Sequence, residues 1–182
     1  NAMEIKGRLI DIHAREIFNS VISINGGRIA GIERSVNEVP EYYIMPGLID
    51  AHVHIESSMI SPGSFAMASV PHGTIGVVSD PHEIANVMGM EGIEFMLEDG
   101  KKTPFHFWFG APSCVPATEL ETSGAKIGPE EVEALLKRDE IKFLAEMMNF
   151  PGVINGNSEV IAKLALAEKY GKPVDGDRKS VV

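Results

Sequence analysis

The chain has 182 residues, enough for one sizeable domain or for a small domain joined to part of a larger one. It is 44% hydrophobic and 23% charged, which excludes a disordered chain, and a net charge of -10 with no basic cluster argues against a nucleic-acid partner. A single cysteine, Cys114, excludes an intrachain disulfide and a cysteine-rich zinc site. No apolar run is long enough to span a bilayer and no signal peptide is evident, so no membrane partner is expected and the cytoplasm is the default location. Asn1-Ala2 ahead of Met3 reads as a remnant of tag cleavage and is set aside.

Residues 3 to 44 read as short strands. Glu4 to Asp11 and Glu16 to Ile24 mix charged and apolar residues. Asn25-Gly26-Gly27-Arg28 is a hairpin turn, because Asn and Gly tolerate positive φ, and Ile29 to Ile32 returns as the partner strand. Pro46-Gly47 breaks this pattern. An apolar run then ends in His52-Val53-His54. Ser61-Pro62 opens a helix that stops near Gly73, with a hydroxyl cap and proline in the first turn. Thr74 to Asp80 is apolar on both faces, as in a buried parallel strand. Helical sequence runs from about Ile84 to Glu98, divided by Gly89 and Gly92, and Phe105 to Phe109 is a third strand. A helix opens at Gly128-Pro129-Glu130-Glu131, and Ile141 to Met147 is a fourth strand. Asn157 or Ser158 caps a helix with Val160, Ile161, Leu164 and Ala167 on one face, and Lys172 to Asp175 begins a fifth strand.

The β-then-α order, four times over, predicts a parallel sheet with helical crossovers. No GxGxxG follows the first strand, which disfavours a dinucleotide fold. The expected fold class is α/β: the N-terminal half of a (β/α)8 TIM-like barrel, preceded by a small β-sandwich-type domain. In such barrels the chemistry sits at the C-terminal strand ends, where His52, His54, Asp80, His82, Glu83, Cys114 and Glu146 all fall.

His52 and His54 share one face of a strand end, and two imidazoles so placed can grip a divalent metal; two surface histidines would be the bland alternative. Glu146 follows Phe143-Leu144-Ala145. It is either a carboxylate at a wet strand end or one that bridges two ions. Asp80, His82 and Glu83 form a possible acid/base cluster. Asp80 and Glu83 also fit a capping box, which leaves His82 unexplained, since a cationic histidine is disfavoured at a helix N-terminus. His72 suits the end of its helix, His106 reads as packed, His13 as exposed, Cys114 as a buried inert thiol, and the nine methionines as core filler.

Pro46 to His54 resembles the first-strand motif of the amidohydrolase superfamily. The stretches Ile55 to Met59, Ser79 to Gly89, Ala111 to Thr118 and Glu146 to Val153 resemble the adenine deaminases of bacteria and archaea, and the resemblance covers residues 3 to about 176. It implies hydrolytic deamination of adenine to hypoxanthine and ammonia at a binuclear metal centre. In that pattern His52 and His54 bind one metal and Glu146 bridges two, in place of the carboxylated lysine of other amidohydrolases. It further implies Mn²⁺ or Fe²⁺, with Zn²⁺ as an alternative, and leaves His82 and Glu83 as candidates for proton transfer. The zinc deaminases that use a His/Cys/Cys site are excluded by the single cysteine. A cyclic-amide hydrolase is a weaker reading, because Glu146-Met147-Met148-Asn149 stands where that branch has lysine.

Residues 177 to 182 match nothing expected of the family, whose next histidine ligands and catalytic aspartate do not follow. The expected organisation is therefore a β domain over 3–45, a partial barrel over 46–176 and a non-family tail over 177–182. The expectation is a truncated chain with an incomplete second metal site, inactive alone, and a homo-oligomer because its parallel sheet is uncovered. A non-catalytic half-barrel that self-associates is the alternative.

Overall fold

A computed structural model of the protein describes residues 2–118 and 120–176, so the proposed tail over 177–182 lies outside the described residues. The chain divides into two units, residues 1–47 and 48–182.

The first unit is built on a hairpin. Strands β1 (Ala2–Asp11) and β2 (Glu16–Asn25) pair antiparallel from Ala2 opposite Asn25 to Asp11 opposite Glu16. Ala2, set aside on sequence grounds, is thus part of the ladder. Strand β3 (Arg28–Arg34) follows a turn in which Gly26 and Gly27 both take positive φ, 58° and 75°, the geometry that suits tight hairpins. Strand β4 (Tyr43–Ile44) joins β1 in parallel, giving the order β3-β2-β1-β4. This is a single sheet. The second layer that a sandwich requires is not among the described residues of this unit. Its buried side chains are Leu9, Ser20 and Ile22, and the Ser20 hydroxyl donates to the Gly7 carbonyl at 3.0 Å.

The second unit has four parallel strands in sequence order: β5 (Leu48–Val53), β6 (Thr74–Ser79), β7 (His106–Ala111) and β8 (Ile141–Leu144). Val174 bridges Leu144 in parallel, so Pro173 to Asp175 lie where a fifth strand would continue the sheet. Helices α1 (Pro62–Ser69), α2 (His82–Met88), α3 (Met90–Gly100), α4 (Pro129–Leu136), α5 (Phe150–Ile154) and α6 (Ser158–Lys169) fill the connections. The covered face of the sheet carries Val77, Phe109, Ile141 and Leu144. These pack with Ile93, Met96 and Leu97 of α3 and Val132, Leu135 and Leu136 of α4 into one dry core. Alternation sends Val78 and Trp108 to the other face, and the register shift that pairs Gly110 with Phe143 turns Phe143 there as well. With Ile49, Pro173 and Val174 they line an open apolar concavity of about 460 Å³. Gly76 sits under Trp108, where an added Cβ would lie 2.6 Å from the indole.

Several local expectations change for physical reasons. Gly89, at φ 60°, separates α2 from α3, whereas Gly92 lies within α3 and admits Ile84 against the helix. Ser61 does not cap α1. Asp99 of α3 takes that helix end, accepting from the Gly63 amide at 2.8 Å and from Ser61. Helix α6 is capped by Asn157, whose side chain accepts from Glu159 and Val160 amides. Its buried positions are Val160, Lys163 and Ala167, and Ile161 is exposed. The fourth strand ends at Leu144 because Ala145 bonds back to Ala111 and the chain then turns through Met148, whose amide bonds the Glu146 carbonyl. His106 is exposed and stacks on Trp108 at 5.7 Å, not packed inside. Of the methionines only Met96 is buried in the core, and Met59 and Met67 are strongly exposed. Among the described residues no helix is long and apolar enough to cross a membrane.

Candidate metal centre

Val53 packs against the helical core and its neighbours His52 and His54 are turned the other way, at the C-terminal end of β5. The segment that follows the fourth strand brings Glu146 to the same place. A single Glu146 oxygen, Oε2, lies 3.6 Å from Nε2 of His52 and 3.6 Å from Nε2 of His54. Those separations are too long for hydrogen bonds. They are close to the roughly 3.4 Å between neighbouring ligand atoms of a tetrahedral ion with bonds near 2.1 Å.

The outer nitrogens of both rings are already engaged. Nδ1 of His52 is 3.1 Å from Asp175 Oδ2, and Nδ1 of His54 is 3.0 Å from the Asp80 carbonyl. A carboxylate or carbonyl on Nδ1 fixes the tautomer that leaves Nε2 bare for a cation, which is the usual support of a metal-binding histidine. The donor set of His52, His54 and Glu146 therefore fits a divalent ion by type, by spacing and by the state of its unused atoms.

A second group lies beside it and shares His54. The ligand atoms of His54, Asp80 and His82 also fall within 4.8 Å of one another. His82 Nδ1 pairs with Asp80 Oδ2 at 2.9 Å, and the His82 ring meets His54 edge-on at 4.5 Å. Asp80 is 2% exposed. Burial by itself would lower the His82 pKa. The Asp80 hydrogen bond and charge, with Glu146 and Glu56 nearby, outweigh it and hold the imidazolium above its ordinary range. Burial raises the Glu56 carboxyl, and the adjacent charges of Glu83 and Asp80 push the same way. Glu56 Oε2 and Asp80 Oδ1 are buried without a hydrogen-bond partner.

Each residue singled out by sequence can now be placed. His52, His54 and Glu146 meet at one point, and His82 stands beside them. Glu83 belongs to neither ligand group and accepts from the Ser57 hydroxyl at 2.6 Å. Asp80 does not cap α2. Pro81 holds the cap position without a side-chain bond, because the Asp80 carboxylate is committed to His82. Sequence reasoning missed Asp175 as the partner of His52, and Glu56 with its unpartnered oxygen. Asp175 gave a faint signal as an acid at the start of an expected strand. Cys114 is buried, as expected, with its sulfur 3.6 Å from Met147 Sδ.

A parallel β/α sheet with such a donor set at its C-terminal rim places the chain in the class of β/α proteins that can carry a divalent ion there. It belongs to the amidohydrolase family, whose profile matches residues 43–177. It is 56% identical over 175 residues to the adenine deaminase of Salinibacter ruber, covering 96% of this chain and 32% of that protein. It is 54% identical to the adenine deaminase of Methanosarcina barkeri, covering 94% and 31% respectively. The chain thus spans about a third of the length of these curated relatives. Among solved structures, a D-hydantoinase superposes with a TM-score of 0.59 at 19% identity, covering 96% of this chain and 39% of that one. A dihydropyrimidinase from Brevibacillus agri gives 0.55 at 18%, covering 96% and 41%. At these identities the likeness speaks for the fold alone.

Proposed function

We propose that this chain carries the N-terminal half of the (β/α) barrel of a metal-dependent adenine deaminase, with the first metal-binding residues of its active centre. The observation that carries the reading is the meeting of His52, His54 and Glu146, each histidine presenting Nε2 to one carboxylate oxygen. The named relatives supply the substrate: a purine base whose exocyclic C–N bond is hydrolysed to give hypoxanthine and ammonia.

In this reading His52, His54 and Glu146 hold a divalent ion, Mn²⁺ or Fe²⁺ by preference and Zn²⁺ as an alternative. Such an ion supplies Lewis-acid activation of water. Asp175 and the Asp80 carbonyl keep both imidazoles in the ligating tautomer. The Asp80–His82 pair handles the proton that turns the amine into a leaving group, with His82 as donor and buried Asp80 orienting it. Glu83, which accepts from the Ser57 hydroxyl, is a second candidate for proton transfer.

A second reading concerns the 182-residue chain by itself. Its concave apolar face, with Ile49 54% and Val174 45% exposed, favours self-association into a homo-oligomer without catalysis. One experiment separates the two. The chain is titrated with Mn²⁺, its metal content measured, and adenine turnover followed by ammonia release. Metal uptake and turnover that both disappear in His52→Ala support the deaminase. Metal uptake without turnover supports the non-catalytic half-barrel, and a chain that takes up no metal refutes the assignment of these ligands.

A further inference from the structure

Helix α6 buries a lysine where its periodicity calls for an apolar residue: Val160, Lys163 and Ala167 form its inner stripe. Burying an ammonium is costly unless every N–H finds an acceptor. Here all three do. Lys163 Nζ donates to the Ser113 carbonyl at 2.9 Å and to the Ile127 carbonyl at 2.7 Å, and Glu159 lies 3.3 Å away. Ser113 and Ile127 stand at the two ends of the long excursion between β7 and α4, which is also closed by the Ile127 amide on the Val115 carbonyl at 3.0 Å. A methionine of similar shape would pack in the same space, so packing alone does not call for lysine. What the ammonium adds is the fixing of those two carbonyls.

The fixed loop supplies the direct bond to the Glu146 backbone. Strand β8 ends two residues before it, so the Glu146 backbone has left the sheet ladder. Its carbonyl accepts from the Ser113 hydroxyl, and the Asn149 amide donates to Cys114 Sγ at 3.4 Å. The segment bearing the central carboxylate is therefore held by Ser113 and Cys114, alongside the Ala145 amide on the Ala111 carbonyl and the Met147 amide on the Asp175 carbonyl, and Ser113 is held in turn by Lys163.

We propose that Lys163 is a positioning residue of the metal centre: its buried ammonium fixes Ser113, Ser113 fixes the backbone of Glu146, and α6 thereby sets the aim of the carboxylate facing His52 and His54. The proposal rests on the metal-centre reading above, and its test has one readout that needs no metal. The chain is made as Lys163→Met, Ser113→Ala and the double variant, with Glu159→Gln as a control that removes the ion pair and keeps both carbonyl bonds. In the metal-free proteins, amide hydrogen exchange over residues 145–149 is expected to rise about 10-fold in either single variant and no further in the double. Mn²⁺ affinity is expected to fall roughly 10-fold in each single variant, the lower end of what an outer-shell partner contributes. The double should fall by the same amount, and Glu159→Gln by little.

Unchanged exchange over 145–149 in Lys163→Met, or additive losses of about 100-fold in the double variant, overturns the proposal, because Lys163 would then act independently of Ser113. Should Lys163→Met fail to fold, Lys163→Leu, which stays apolar and offers no donor, enters the same cycle with the same expected outcomes. A wild-type chain that takes up no Mn²⁺ refutes the metal centre, and the exchange cycle still decides whether Lys163 holds Glu146.

Discussion

The two faces of the parallel sheet present the same four strands to different surroundings. The outer face is covered by α3 and α4, and its residues Val77, Phe109, Ile141 and Leu144 are buried. The inner face carries Trp108, Val78 and Phe143 around an open concavity, with Ile49 half exposed. Burial of apolar area is the main favourable term in folding, so stability is expected to reside on the outer face. The rim above the inner face gathers polar groups instead: His52 and His54 around the Glu146 carboxylate, and the Asp80–His82 pair. Proteins tend to keep such costly polar groups where function requires them.

The comparison can be broken at its outer side first. Leu135 is fully buried, and Leu135→Ala should cost about 3 kcal/mol in chemical denaturation, with a lower midpoint and an unchanged slope. A loss below about 1 kcal/mol would mean that the helical layer is loosely packed.

At the rim the expected effect is on metal and hardly on folding. Glu146→Gln keeps the volume and removes the charge, and should weaken Mn²⁺ binding at least about 100-fold in calorimetric titration, or about 2.7 kcal/mol. Asp175→Asn still offers an acceptor oxygen to His52 Nδ1 yet lacks the charge. Its expected loss is roughly 10-fold, the low end for a group behind a ligand. If Asp175→Asn proves as damaging as Glu146→Gln, Asp175 is itself a ligand.

The outer layer also has an electrostatic tie. Lys102 beside Asp99, with the Gly63 amide and Ser61, holds the Asp99 carboxyl down at about 2. A depressed carboxylate contributes stability above its unfolded pKa near 3.9, and that contribution is lost as pH falls toward about 2. Because Lys102 is largely exposed, solvent screening reduces the expected contribution to about 1–2 kcal/mol. Asp99→Asn should remove that part of the acid sensitivity between about pH 4 and pH 2 in thermal melts, and leave the curve near neutrality parallel to wild type.

The smallest effect on stability is expected from the inner face. Trp108→Ser should change the unfolding free energy by about 1 kcal/mol or less, since the indole is only partly buried, while reducing any self-association seen by sedimentation. A loss near 3 kcal/mol would show that the inner face is as much a core as the outer one.

Much of the architecture was legible because it rests on local pattern. The alternation of apolar runs with capped helical segments predicted four parallel strands, and they occur in that order. The i, i+2 histidines were legible for the same reason, since a strand puts alternate side chains on one side. Boundaries moved where a distant residue intervened. Ser61 lost its capping role to Asp99, and the fourth strand stopped at Leu144 because Ala145 reached back to Ala111. Asp80 reads equally well from sequence as a helix cap or as a partner for His82, and only three-dimensional placement commits it to the histidine.

The sequence by itself determined the β/α order and the family, and pointed to His52, His54 and Glu146 as candidate ligands, because periodicity and motif are properties of neighbours along the chain. The tertiary structure decided what supports those donors. Asp175 reaches His52 across 123 positions, and Lys163 reaches Ser113 across 50. Contacts of that span follow from how the strands and helices pack, and no window of sequence contains both partners.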